Sequence, residues 1–589
     1  MKIKDFFKRF RFTIILIVCV AMGTFLRLYL IADQILLDDE WHGLFYSTGH
    51  SLTHLLRYTT ADATCAPLNA YAWILLHTIG WSEMALRLPS IFFGIFALVI
   101  CPLLVRKVHG ETTAAIFSVF MSLSPFLTTY SRIFRPYGAL VFFEFVAIYS
   151  VGIWLLKGER RFGWFYVLAS MAAVYFHPVA AIGVFAPWVV VGTLYFLNTV
   201  RIIPRVRIPD FRPDWKSAML GLGMIIVVFG LTVQPGVIAE NVVSGSSTTI
   251  ETWHQFLLML FGTSSGILSV VMLFIFTLGL WILIKEHIFW GLVFTLVVFL
   301  HLTMIAVSSF SSIHMPVVLA RYMIIIFPLA YVATAIGMMR CAMIISRLTS
   351  SRNIFVRGWI PGAGTLILLS LIMTNPLWNV YDAPNNFTHH SAFIESGRFA
   401  GWSNIYPSAY MPQLASFGPP TMPTFYGTLQ PQTRRLIEYP MLLGDHYNYY
   451  YFYQHHHRKK IIIGYTDAVD AMPPNRDCVY PEFIADHVIN AAGLKHSLRF
   501  RNMVNIQDKA SVRNMHADYL ICHKDIFREF LPGFEPPMKT FSKGVEECLR
   551  QSTDHFGKPI FEDENIAVFN VRNTPPYPHL SKDPQRKWN

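Results

Sequence analysis

Leu37-Asp38-Asp39-Glu40-Trp41-His42 is the stretch on which the reading of this chain turns. It follows an apolar run over residues 12–32 and sets three carboxylates in a row at the edge of a lipid-compatible segment. An ionised carboxylate at the centre of a bilayer costs on the order of 2.5–3.5 kcal/mol, so acidic residues near membrane depth either serve a function or mark where a span meets water. The rest of the sequence has to decide between those two readings.

The composition is that of a membrane protein. Of 589 residues, 53% are hydrophobic and only 14% charged, and the mean hydropathy is +0.42; this excludes a soluble or disordered chain. Apolar runs long enough to span fall at 12–32, 86–105, 112–130, 137–156, 163–177, 178–198, 217–236, 264–284, 288–308, 320–339 and 358–376, about 11 transmembrane helices in all. A net charge of +12 would suggest a nucleic-acid partner in a soluble chain. Here the basic residues sit in short loops between apolar runs, so they report membrane orientation, and no nucleic acid is expected.

That orientation can be read along the chain. Lys2, Lys4, Lys8, Arg9 and Arg11 precede the first run, Arg106 and Lys107 follow the second, and Lys157, Arg160 and Arg161 follow the fourth. Arg201, Arg205 and Arg207 follow the sixth, Lys285 the eighth, and Arg340 and Arg347 the tenth. All fall on one side if the N-terminus is cytoplasmic. The basic start leads into an apolar run with no small-residue cleavage site, as in an uncleaved anchor. The opposite side holds few basic residues: Arg57, Arg132, Arg135 and Arg321, with Arg27 and Arg87 at span ends.

The expected organisation is a transmembrane domain over 1–379, with a long outer loop at 33–85, and a soluble extracytoplasmic domain over 380–589. Leu68–Ile79, in the loop, is amphipathic and too short to span, which suits a helix lying on the membrane surface. The tail reads as a small α/β domain. Strands are expected at Arg435–Tyr439, Lys460–Tyr465 and Asp518–Cys522, with a hairpin-like pair at Ile560–Glu562 and Asn565–Val571. Helices are expected at Met441–His457, Pro481–Ala492 and Lys543–Gln551. The seven cysteines have no metal spacing. Cys478, Cys522 and Cys548 lie in the tail, where a disulfide forms if that side is oxidising.

With these residues in view, the chain resembles the C-type glycosyltransferase (GT-C) superfamily, in the branch of the protein O-mannosyltransferases and the lipid A aminoarabinose transferase. Asp39-Glu40-Trp41-His42 resembles the branch's Asp-Glu-x-His in the first outer loop. Pro67-Leu68 followed by Trp81-Ser-Glu-Met-Ala-Leu-Arg-Leu-Pro-Ser90 resembles its PPL and RLPS run. Tyr130-Ser-Arg-Ile-Phe-Arg-Pro-Tyr137 and Arg321-Tyr322, with Pro328 beyond, resemble later segments. Tyr453–Tyr465 is similar to a tail motif of bacterial relatives. Cys65 and Ala66 depart from the pattern, standing where the family has a basic or His residue and the first Pro of PPL.

The resemblance implies the GT-C fold, a sugar donor carried on polyprenyl phosphate, inversion at the anomeric centre, and a location in the plasma (inner) membrane. An acceptor hydroxyl is a poor nucleophile, and a positioned carboxylate base contributes about 10²–10⁴-fold. Asp39 is the candidate base, with Glu40 or Asp38 as the carboxylate beside it. The leaving lipid phosphate gains charge, which suits arginine donors. Arg27, Arg87, Arg135 and Arg321 are the candidates, with Tyr137 and Tyr322 as further donors and His42 as a substrate contact. Each arginine alone is equally well read as snorkelling to lipid phosphates. The acidic run can also hold a divalent cation, as in oligosaccharyltransferase relatives. His455-His456-His457 reads as a solvated helix end, and Glu144, His177 and His301 as groups satisfied inside the bundle. The acceptor is an envelope glycan, lipid or protein. The competing readings are a transporter or flippase for a lipid-linked sugar, and a non-catalytic accessory subunit.

Overall fold

The computed structural model describes residues 3–29, 31, 40, 43–44, 47, 50–57, 65–79, 82–200, 215–232, 248–307, 316–348, 370–371, 373–374, 423–433, 435–439, 453, 457, 459–462, 509, 517–524, 546 and 549–571. The chain folds as a helical membrane protein followed by a small mixed sheet. Numbered in chain order, the helices are α1 (Ile3–Leu28), α2 (Leu52–Arg57), α3 (Ala66–His77), α4 (Glu83–His109), α5 (Glu111–Leu123), α6 (Pro125–Tyr130), α7 (Tyr137–Lys157) and α8 (Arg160–Phe176). There follow α9 (Ala181–Thr199), α10 (Trp215–Thr232), α11 (Ile250–Phe261), α12 (Gly266–Glu286), α13 (Ile288–Val307), α14 (Pro316–Tyr322) and α15 (Ile326–Leu348).

Among the described residues, seven helices are long and apolar enough to cross a membrane. Three of the expected spans are not among these seven, and local chemistry explains the ends of two of them. Residues 112–130 divide into α5 and α6 because Pro125 starts a new helix, whose cap Ser124 accepts from the Leu127 N–H. Helix α8 stops at Phe176 because His177 precedes Pro178 and takes an extended backbone, φ −157° and ψ 124°. The third is α10, which is 18 residues long. The expected eleventh span, 358–376, lies largely outside the described residues. A short helix stands where one was expected, as α3; Leu68, Ala70, Ala72 and Leu75 on it are buried.

Packing holds the bundle at a few close crossings. Helices α12 and α15 approach so nearly that a Cβ on Gly279 would stand 1.8 Å from the Ala333 carbonyl oxygen, and one on Gly337 2.1 Å from that of Ile275. Lipid provides no hydrophobic drive between helices, so such backbone-to-backbone packing carries the association. The same helix α15 stacks Phe327 on Phe126 of α6 with centroids 4.8 Å apart, and Tyr331 donates to the Ser124 Oγ at 2.8 Å. The crossing thereby fixes α14 and the buried turn Met323-Ile324-Ile325 that joins it to α15.

Glu144 and His301 are buried as expected, with a difference between them. His301 Nδ1 lies 2.8 Å from the Val297 carbonyl oxygen. The Glu144 carboxylate packs against Gly183 of α9 and has no side-chain hydrogen-bond partner among the described residues. Its partner within the bundle is the Gly183 backbone, not another side chain.

The tail contains a short helix, α16 (Thr424–Gly427), and five strands: β1 (Arg435–Tyr439), β2 (Lys460–Ile462), β3 (Tyr519–His523), β4 (Phe561–Glu562) and β5 (Ile566–Asn570). Their order is β2-β1-β3-β5-β4. The first three are parallel, while β5 and β4 add antiparallel. Leu520, Ile521 and Cys522 of β3 and Ile566–Phe569 of β5 are all buried, as suits central strands covered on both faces. Glu438 of β1 is wholly buried; its Oε2 accepts from Tyr426 at 2.9 Å and lies 2.7 Å from His523 Nε2. Cys522 is disulfide-bonded, to a partner outside the described residues. The expected helix at 481–492 also lies outside them.

The glycine crossing gives the first testable prediction. Gly279→Val should lower the unfolding midpoint of the detergent-solubilised chain, since forcing side chains into a packed contact costs about 1–3 kcal/mol. An unchanged midpoint would show that α12 and α15 do not meet as described.

Candidate active site

The site is built at the end of the bundle where α1 stops. Arg132, in the turn after α6, donates through Nη1 to the carbonyls of Leu26 (3.1 Å), Arg27 (3.0 Å) and Tyr29 (2.8 Å). Those carbonyls are the ones a helix C-terminus leaves without partners, and a cation there also meets the helix dipole. The next described residues, Glu40, Gly43, Leu44 and Ser47, are all buried. They fall at i, i+3, i+4 and i+7, the spacing of one helix face.

Glu40 is the anchor of this segment. It is 1% exposed, and the guanidinium of Arg87 on α4 is fully buried beside it. Arg87 donates through Nε to Oε1 at 2.8 Å and through Nη2 to Oε2 at 2.7 Å. The backbone N–H of Phe134 adds a donor to Oε1 at 2.6 Å. The acidic run is therefore tied to both α4 and the 131–136 turn through one carboxylate. The same turn is held from α4 a second time, where Ser90 Oγ donates to the Arg135 carbonyl at 2.9 Å.

A second group gathers around His177. The Tyr137 and His177 rings lie 5.9 Å apart, and the Arg321 guanidinium stands 6.0 Å from the Tyr137 ring and 5.7 Å from that of Tyr322. Burial holds the His177 pKa down at about 3, and the nearby Arg135 and Arg321 charges push it the same way. Arg135 also acts on Cys65, whose thiol is pushed up to about 12 by burial, against weaker opposing effects of the Leu68 backbone and Arg135. The thiol at this departure from the family pattern is thus a neutral, packed group. Arg27 is buried near both groups. It donates to the Gly23 carbonyl at 2.9 Å and lines a small cavity with Gly94, Tyr130, Ser131, Tyr137 and Ile324.

Of the residues expected from sequence, the structure brings Glu40 together with Arg87, and Arg135 with Tyr137, Arg321 and Tyr322; Arg27 shares a cavity with Tyr137. Asp38, Asp39 and His42 lie outside the described residues. Sequence reasoning gave no role to Arg132, read His177 as core, and had no means of finding the Phe134 N–H. The signal for His177 was its place before Pro178, where the apolar run breaks. A divalent cation does not fit Glu40, because three N–H donors already occupy its carboxylate. Among the described residues no group of three His, Cys, Asp or Glu could hold a metal.

Comparison with solved structures returns likenesses of low identity that cover most of the chain. ArnT from Cupriavidus metallidurans, in its apo state and bound to undecaprenyl phosphate, is similar with a TM-score of 0.48 at 11% identity, over 94% of this chain and 97% of that one. The Archaeoglobus fulgidus oligosaccharyltransferase in its apo form gives 0.46 at 11% identity, over 88% of this chain and 70% of that one. No family model matches the sequence, and no curated protein does.

The buried pair makes a second prediction. Arg87→Ala leaves the Glu40 charge buried without its main partner and should cost about 3–5 kcal/mol of stability. Replacing the pair together, Glu40→Leu with Arg87→Met, should recover much of that stability. Thermal unfolding of the three purified proteins checks this, and an Arg87→Ala chain as stable as the parent would remove the clamp from the fold.

Proposed function

We propose that this chain is an integral-membrane inverting glycosyltransferase that moves a sugar from a polyprenyl-phosphate carrier to an envelope acceptor. The observation that carries the reading is the three-way lock on Glu40. It fixes one end of an acidic run against the turn that also carries Arg135. Covalent geometry keeps the Cα of Asp39 about 3.8 Å from that of Glu40, so the next carboxylate in the run shares the anchored position.

In this mechanism Asp39 takes the proton of the acceptor hydroxyl as its oxygen attacks the anomeric carbon. The bond from that carbon to the phosphate oxygen breaks, the configuration inverts, and the lipid phosphate leaves with the electron pair. Arg135 and Arg321, with Tyr137 and Tyr322, are proposed to meet the charge that develops there, and Arg27 to line the approach. Glu40 and Arg87 hold the base in place. Asp38 and His42 are proposed to contact substrate. The acceptor is an envelope glycan such as lipid A, a lipid, or a protein hydroxyl.

The proposed orientation is a cytoplasmic N-terminus and an external tail, in the plasma membrane. The one-sided Lys and Arg distribution supports it, as does the disulfide at Cys522, since disulfides persist in oxidising compartments. Fusions of a reporter active only outside the cytoplasm should be active at Asn386 and silent at Pro209; the reverse result would invert the map.

The base assignment is tested by two substitutions in one assay. Asp39→Asn keeps size and removes the proton acceptor, so turnover should fall by about 10²–10⁴-fold at normal membrane abundance. Asp38→Asn should cost much less. Near-normal turnover of well-expressed Asp39→Asn sinks the assignment, and loss in Asp38→Asn alone moves the base one residue back. Arg321→Ala should lower turnover by about 10²-fold or more, as for loss of a donor to developing charge.

A further inference from the structure

We propose that His177 is a further donor to the carrier phosphate, its Nε2–H adding to the Arg135 and Arg321 guanidiniums. The proposal rests on the glycosyltransferase reading and adds a residue to its binding site that neither motif nor composition indicated.

The imidazole is oriented by its own backbone. His177 caps the short turn Pro178–Ala180, and its Nδ1 accepts from the Val179 N–H at 3.2 Å. An Nδ1 that accepts leaves the proton of the neutral ring on Nε2, at the far side of the ring. Burial and the two arginine charges favour the neutral ring. The ring lies against Tyr137, which itself lies under Arg321. His177 is 6% exposed and Arg135 8%, so an anion among these groups would be largely withdrawn from water. In such a setting each missing donor is costly.

A neutral donor has a chemical use here that a third cation lacks. Arginines attract a phosphate in every state of the reaction. A neutral N–H adds a directional bond without a further like charge beside Arg135 and Arg321. The imidazole that caps the turn after α8 through Nδ1 thereby keeps its proton on the other nitrogen.

Two isosteres separate the tasks. In His177→Asn the side-chain oxygen replaces Nδ1 as the cap, a role Asn fills well, and the distal donor is lost. In His177→Gln the amide reaches the Nε2 position and the cap is lost. The experiment measures binding of undecaprenyl phosphate, with undecaprenol as the uncharged control, to each full-length chain in lipid nanodiscs, together with the unfolding midpoint. His177→Asn should weaken undecaprenyl phosphate binding by about 10–100-fold, the value of a hydrogen bond to a charged group, while leaving undecaprenol binding and the midpoint near those of the parent. His177→Gln should bind within about threefold of the parent and melt lower. Parent-like phosphate binding by His177→Asn, or equal losses in both variants, overturns the proposal and leaves the glycosyltransferase reading standing. A parent chain that does not prefer undecaprenyl phosphate to undecaprenol overturns both.

Discussion

The buried pair of Glu40 and Arg87 is the constraint on which the rest of the site depends. Removing a carboxylate and a guanidinium from water costs several kcal/mol for each ion, and only good geometry and additional hydrogen bonds return it. This pair has both: a two-pronged contact at 2.8 and 2.7 Å and the Phe134 N–H at 2.6 Å. An apolar pair would close the same space at less cost. What the ionic pair adds is direction, because a planar fork on a planar carboxylate admits one orientation.

The arginines at this end of the bundle divide their work accordingly. Arg87 is committed to a carboxylate, and Arg132 to three carbonyls at the end of α1. Arg135 and Arg321 bear on the His177 imidazole, and Arg321 stands beside the Tyr137 and Tyr322 rings. Sequence alone treats all of these as basic residues near span ends. The distinction arises from what each guanidinium meets after folding.

This explains what was legible beforehand and what was not. Apolar runs report span positions directly, since bilayer thickness sets their length. Their ends were less exact where a serine cap and a proline cut a run in two, as at Ser124 and Pro125. The strands of the tail were legible because short runs rich in β-branched and aromatic residues lie between turn residues; β1 falls where the sequence put it. Arg87 and Glu40 could each be singled out by residue type and position. Their pairing spans 47 positions and depends on how α4 passes the loop, which no local pattern encodes. The role of a backbone N–H such as that of Phe134 carries no sequence signature at all. His177 looked like core because its neighbours are apolar; only the fold sets it near Arg135 and Arg321.

The turn at 131–136 shows how one short segment can set a catalytic distance. Its Arg132 side chain closes α1, its Phe134 N–H binds Glu40, and its Arg135 carbonyl is held by Ser90. The Arg135 side chain acts at His177, on the other side of the site. The carboxylate half and the cationic half are thus fixed to the same six residues, not to separate helices that are free to tilt in lipid. In the proposed reaction, attack on a sugar between a base and a leaving phosphate would require both groups to hold their separation to a fraction of an ångström. A turn buried on every described residue, fastened to α1, α4 and the acidic segment at once, meets that requirement where helix packing in a bilayer would leave it loose.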